Sequence, residues 1–195
     1  MGKGGRVNEP KSQLEIYKAH TIPILGIIEA PGTLELGDVS CLDETTLAVG
    51  HTYRTNPEGI VQLKAFLEPK GITVIVVELP HYKGQSDVFH LMSILSPIDK
   101  DLAVVYSPLM SIKFRKELLD RGFELIEVPD EEFESMGYNV LAVAPRKCIM
   151  VAENPKTQKL MKKAGCDVTI YKGHDISVKG VGVPTCLKRP MLRSH

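Results

Sequence analysis

Three widely separated segments of this 195-residue chain each carry a side chain able to do covalent or acid–base chemistry. Leu34-Glu35-Leu36-Gly37-Asp38 offers carboxylates, Phe89-His90-Leu91 an imidazole, and Val183-Pro184-Thr185-Cys186-Leu187 a thiol. A thiol, an imidazole and a carboxylate brought together make a nucleophile, its proton carrier and an acidic orienter. The surroundings distinguish Cys186 from the other cysteines. It follows Gly180-Val181-Gly182, where small residues let a substrate approach the backbone. Cys41, Cys148 and Cys166 are expected to be inert core thiols. His20, His51, His81, His174 and His195 receive no role.

What must position these residues is a repeat. Glu9-Pro10, Asn56-Pro57, Ser107-Pro108 and Asn154-Pro155 recur at intervals of about 50 residues, each ahead of a helix-like stretch. Proline suits the first helical turn, and Asn56, Ser107 and Asn154 are good N-caps, with Thr55 and Glu58 a competing capping box. The spacing of Ile60, Leu63 and Leu67, and of Leu109, Ile112 and Leu119, gives apolar helix faces. Gly71, Gly122 and Gly165 suit left-handed helix stops. Strands are predicted after the helices at Ile24 to Ile28, Ile72 to Val77, Phe123 to Val128 and Cys166 to Ile170. Further strands are predicted at Thr46 to Val49, Leu102 to Tyr106, Val140 to Val143 and Cys148 to Val151. Such a repeat makes an α/β array, either a linear solenoid or a closed ring. The ring is favoured, because the intervening segments differ in chemistry from unit to unit and would converge on its axis.

Lys plus Arg and Asp plus Glu each number 24, so there is no charge excess to hold a phosphate backbone or an anionic bilayer. Neither nucleic acid nor membrane is an expected partner. The apolar runs fall short of a membrane span. From the polar, Gly-rich start neither an export signal nor a lipid anchor is expected, and the scattered cysteines fit a reducing cytoplasm. The expected organisation is a flexible terminus over 1–9 and a single domain over 10–195.

Four motifs in order carry a family resemblance. Leu34-Glu35-Leu36-Gly37-Asp38-Val39 looks like L-E-G-G-D-V, and Val49-Gly50-His51-Thr52-Tyr53-Arg54-Thr55-Asn56 looks like V-G-x-S-x-R-T-N. His90-Leu91-Met92-Ser93 looks like H-L-K-S, and Gly182-Val183-Pro184-Thr185-Cys186-Leu187 looks like G-G-x-x-C-L. Over about Pro31 to Pro190 the chain resembles the guanidino-group modifying, or pentein, superfamily of dimethylarginine dimethylaminohydrolases, arginine deiminases and amidinotransferases.

The resemblance implies an α/β propeller of ββαβ units, about four of the usual five being present. It also implies a catalytic set of Cys186 as nucleophile, His90 as general acid and base, and Glu35 as their acidic partner. Arg54 would hold the substrate carboxylate, and Asp38 would bind substrate polar groups or cap its turn. No metal and no cofactor is implied. The expected partner is a small guanidino substrate, with a homo-oligomer as a further possibility. The expected reaction is hydrolysis of a substituted arginine to a ureido product such as citrulline, with release of an amine. The alternatives are an amidinotransferase, an arginine deiminase, or an inactive binding scaffold. Three departures stand out: Leu36 replaces a glycine, Met92 replaces the Lys or Asp two residues after the histidine, and no F-V-x-D precedes Glu35. The aspartate of that last motif grips the guanidinium in the family. Deiminases resemble one another in carrying Asp at the Met92 position, so Met92 points toward the dimethylarginine hydrolase type.

Overall fold

The computed structural model describes residues 2, 4–87, 89–180 and 182–187. His195, Val181 and the end of the resemblance at 188–190 lie outside them. The described chain is mixed α/β and divides into two compact units, residues 1–91 and 92–195.

The first unit contains α1 (Glu9–Ala19), β1 (Val39–Cys41), β2 (Thr46–His51), α2 (Pro57–Leu67) and β3 (Thr73–Glu78). β1 runs antiparallel to β2, with Val39 opposite Val49. β2 runs parallel to β3, with Ala48 opposite Ile75. A parallel pair needs a crossover, and α2 supplies it. Ile60 and Leu67 of α2 bury against Val49 and Val74, with Leu63 packed beside them, so the predicted helix face is the face that packs.

Asn56 heads this helix. Its Oδ1 accepts from Gly59 N–H at 2.9 Å and from Thr33 N–H at 2.8 Å, while its Nδ2 donates to Pro31 O at 2.8 Å. One cap thus ties the chain entering β1 to the helix. The capping box through Thr55 does not form, because that hydroxyl is used elsewhere.

Residues Ile24 to Ile28 are not a strand. Among the described residues no strand pair precedes them, and a lone extended segment has no ladder to join. The segment runs instead along α2. Gln62 Oε1 accepts from Glu29 N–H and Gln62 Nε2 donates to Glu29 O, both at 2.8 Å. A Cβ on Gly26 would fall 2.5 Å from the Phe66 ring. Ile24, Leu25 and Ile27 remain exposed.

The second unit repeats the pattern twice. β4 (Leu95–Asp99), β5 (Leu102–Val105), α3 (Ile112–Asp120) and β6 (Glu124–Glu127) make one sheet with its helix. β7 (Leu141–Ala144), β8 (Lys147–Val151), α4 (Pro155–Lys163) and β9 (Asp167–Tyr171) make the other. In each sheet the first pair is antiparallel and the second parallel. The two share one core, in which Ile98, Leu102 and Val104 meet Val140, Met150 and Met161. Arg146 bridges them by donating to Asp99, Asp101 and Ala164 O at 2.7, 2.9 and 2.8 Å.

Ser107-Pro108 does not start α3. It forms a single 3-10 turn, and Ser111 caps the helix through Phe114 N–H at 3.3 Å. The Ser107 hydroxyl is committed to Glu127. Moving the start rotates the buried face, so Phe114 and Leu118 pack while Ile112 and Leu119 stay exposed. Asn154 also makes no side-chain cap. It is tied to Ser135, and the Glu132 carboxylate takes the N–H groups of Lys156 and Thr157 at 2.7 and 2.8 Å. A carboxylate there complements the helix dipole. Gly71, Gly122 and Gly165 all have φ near +80°, at 78°, 84° and 82°, as helix stops require.

Asn56→Ala removes three hydrogen bonds at once. It is expected to lower unfolding stability by about 2 kcal/mol, above the typical single-cap loss of about 1. Urea denaturation monitored by circular dichroism checks this, and a change below about 0.5 kcal/mol would show that the cap carries little of the unit's stability.

Candidate active site

A 3-10 turn at Leu36–Asp38, following extended Glu35, feeds directly into β1. It buries two carboxylates: Asp38 has no exposed surface and Glu35 is 5% exposed. Arg54 and His90 are each 7% exposed, and Thr55 is fully buried. Four ionisable side chains therefore share one interior region of the first unit. Buried ionised groups must be paired or satisfied by donors.

The geometry gives both carboxylates partners. Glu35 Oε2 lies 3.4 Å from Arg54 Nη1 and 3.4 Å from His90 Nε2. Asp38 Oδ2 lies 3.2 Å from His90 Nδ1. Its Oδ2 also accepts from Thr52 Oγ1 at 2.8 Å and Thr55 Oγ1 at 2.6 Å, while Oδ1 accepts from Leu91 N–H at 3.1 Å. Thr55 Oγ1 in turn accepts from Glu35 N–H. Glu35 Oε1 accepts from Gly2 N–H at 3.2 Å. The imidazole thus sits with one carboxylate near each ring nitrogen.

Two glycines make this packing possible. A Cβ on Gly37 would stand 2.8 Å from His90 Cγ, and one on Gly50 would stand 3.1 Å from Asp38 Oδ1. The requirement at the second position of Leu36-Gly37 is therefore steric. Leu36, the departure from the motif, is 49% exposed and takes no space in the buried cluster.

Beside the cluster a cleft of about 210 Å³ is lined by Tyr53, Arg54, Glu78, His81, Asp87 and Phe89, among others. Tyr53 OH and His81 Nδ1 are 2.6 Å apart, and His51 Nδ1 and Glu78 Oε2 are 2.7 Å apart. Arg54 thus lines the cleft while one of its nitrogens faces Glu35.

Cys186 lies in the second unit, on α5 (Pro184–Leu187). Val183, 2% exposed, anchors this turn against Met136 and Val151, and Cys186 N–H donates to Val183 O at 2.8 Å. Thr185 Oγ1 bonds to the buried Asn139. The thiol is exposed, with Sγ 3.8 Å from Met92 Sδ. Cys148 and Cys166 are buried, as expected, but Cys41 is exposed at the end of the three-residue β1, the outermost strand of its sheet. Burial, with the neighbouring Cys166 adding to it, pushes the Cys148 thiol up to about 12. Burial also raises Cys166.

Among the described residues, no three His, Cys, Asp or Glu side chains gather as a metal ion would need, and no helix is long and apolar enough to cross a membrane. Thr52, Gly37 and Gly50 are the site residues not singled out from the sequence. All three fall inside the recognised motifs, which was the available signal.

The family model described as arginine deiminase matches residues 14–122 and 111–193. The chain belongs to the arginine deiminase family, within the guanidino-modifying superfamily. The N(G),N(G)-dimethylarginine dimethylaminohydrolase of Streptomyces coelicolor is 31% identical over 157 residues, which cover 80% of this chain and 54% of that protein. The solved structure of a cysteine-to-serine mutant of the Pseudomonas aeruginosa dimethylarginine dimethylaminohydrolase, complexed with citrulline, matches 89% of this chain and 62% of its own. Its TM-score is 0.72 and its identity 27%. The N-terminal domain of the cyanobacterial arginine dihydrolase ArgZ matches at a TM-score of 0.78 over 95% of this chain and 67% of that one. At 17% identity that likeness speaks for the fold alone. The chain spans about half the length of the curated relatives it matches.

Only exposed thiols should react in the native chain. At pH 8 a thiol at about 12 is roughly 10⁻⁴ thiolate, so iodoacetamide is expected to modify Cys41 and Cys186 while sparing Cys148 and Cys166. Peptide mass spectrometry, with and without urea, reads the pattern. Native labelling at Cys148 would contradict its burial.

Proposed function

We propose that this chain carries the machinery of a hydrolase that attacks the guanidino carbon of a substituted arginine. The observation that carries the reading is the buried arrangement of Glu35, His90, Asp38 and Arg54 in a chain of this family. A guanidinium is planar and resonance-stabilised, so its carbon is a poor electrophile until carboxylates localise the charge and a thiolate approaches. Cys186 Sγ forms a bond to that carbon, and the displaced electron pair moves to nitrogen. His90 protonates the departing amine as the C–N bond breaks, leaving a thiouronium-type adduct. The neutral imidazole then takes a proton from water. The hydroxide attacks, the C–S bond breaks, and the thiolate returns with release of the ureido product. Glu35 orients the imidazole, and Arg54 receives the substrate carboxylate at the cleft.

Met92 favours an N-methylated substrate. Its thioether stands 3.8 Å from the Cys186 sulfur, an apolar neighbour suited to methyl groups and unable to grip an unsubstituted nitrogen as a carboxylate would. We further infer a partial pentein-type ring: where about four units were expected from the sequence, the described residues form three ββαβ sheets, the segment 24–28 making no strand. The triple repeat and the structural likeness support this.

The test is turnover of asymmetric dimethylarginine and of arginine, following citrulline and the released amine, with mass spectrometry of the quenched enzyme. Dimethylarginine is expected to be the better substrate, with the adduct on Cys186. Cys186→Ser is expected to lower kcat by at least roughly 10³-fold. An active Cys186→Ser variant, or an adduct on Cys41, would overturn the assignment.

A further inference from the structure

Asp38 has surroundings unlike those of a substrate ligand. It has no exposed surface. A carboxylate offers about four lone-pair positions. Here Oδ2 accepts from the hydroxyls of Thr52 and Thr55 and Oδ1 from the backbone N–H of Leu91, while His90 Nδ1 stands 3.2 Å from Oδ2, at ion-pair distance. Two of these partners, Leu91 N–H and His90 Nδ1, belong to adjacent residues, so one carboxyl group fixes both the chain and the ring of the proposed acid–base residue. Gly50 brings the β2 backbone up to Oδ1, and Gly37 closes on the imidazole. The ring is held from several sides, while Nε2 points at Glu35 Oε2, 3.4 Å away.

An ionised carboxylate is an acceptor only, and a neutral imidazole has one donor nitrogen and one acceptor nitrogen. Each ring nitrogen faces a carboxylate, but Asp38 is the nearer, at 3.2 Å against 3.4 Å for Glu35, and is wholly buried, so it favours the ring form with its proton on the nitrogen it faces. We propose that Asp38 is a positioning residue that keeps a proton on His90 Nδ1 and so assigns proton transfer to Nε2. Thr52 and Thr55 hold Asp38 in place for this task. The proposal rests on the reading of His90 as the general acid and base, and it stands in place of the substrate contact or turn cap expected for Asp38 from sequence.

The two readings fail separately in one set of measurements. In full-length protein labelled with ¹⁵N-histidine, the resonances of His90 are identified by their loss in His90→Gln. Once the ring is neutral, Nδ1 is expected in the protonated, pyrrole-like range and Nε2 in the pyridine-like range. Asp38→Asn presents an NH₂ group to at least one existing donor. It is expected to weaken this preference and lower kcat roughly 10- to 100-fold, with KM changed less than about threefold. A proton on Nε2 in the wild-type ring overturns the proposal even if Asp38→Asn does not fold. So does an Asp38→Asn enzyme whose KM rises at unchanged kcat, which would restore a substrate contact. A fully active His90→Gln enzyme would instead refute the proposed function, and the tautomer would still decide what Asp38 does.

Discussion

A carboxylate sealed from water costs several kcal/mol unless donors replace its hydration, and Asp38 is sealed completely. The first unit is organised around meeting that requirement. Two hydroxyls come from the turn after β2, and a backbone amide comes from the residue after His90. The turn before β1, the turn after β2 and the segment ending in His90 are thereby fixed against one group. Thr55 extends the constraint, since the hydroxyl that donates to Asp38 also receives the Glu35 amide. The position of Glu35 therefore depends on the same network. Charged groups arranged this way are set before any ligand arrives, which is the condition for electrostatic preorganisation.

The repeat explains why such a network can exist on short strands. Each unit needs an antiparallel pair, a crossover helix and a parallel third strand, and each carries its chemistry in the segments between these elements, where backbone geometry is free to vary. In the first unit those segments carry the acids, the arginine and the histidine. In the second, the turn bearing Cys186 is held by a buried valine and by Thr185 on Asn139.

Much of this was legible from residue order. The glycine stops at 71, 122 and 165, the apolar face of α2 and most strands follow from local rules, because Gly in the left-handed region and β-branched runs act through their own backbone. Strands β1 and β4 were not legible. β1 has three residues, and β4 contains Pro97, which donates nothing to a ladder and sits beside a register shift. The expected strand at Ile24 to Ile28 had the right composition but no neighbour to pair with, a fact no local window contains. The start of α3 turned on which of two serines had a competing partner, and Glu127 is such a partner only in three dimensions. In the site, the residue types came from motif order, whereas the donors that hold Asp38 became visible only once Thr52, Thr55 and Leu91 were seen around it.

The distribution of the thiols has a consequence for oxidative stress. Cys148 and Cys166 lie in the shared core of the second unit, where burial withholds the thiolate that peroxides attack. Cys186 stands at the surface on one turn of helix, and the nearby Met92 sulfur is itself oxidisable. Oxidants therefore reach Cys186 while the core thiols are spared, so sulfenic acid formation, reversible by thiols, would mark this surface turn long before the folded scaffold was harmed.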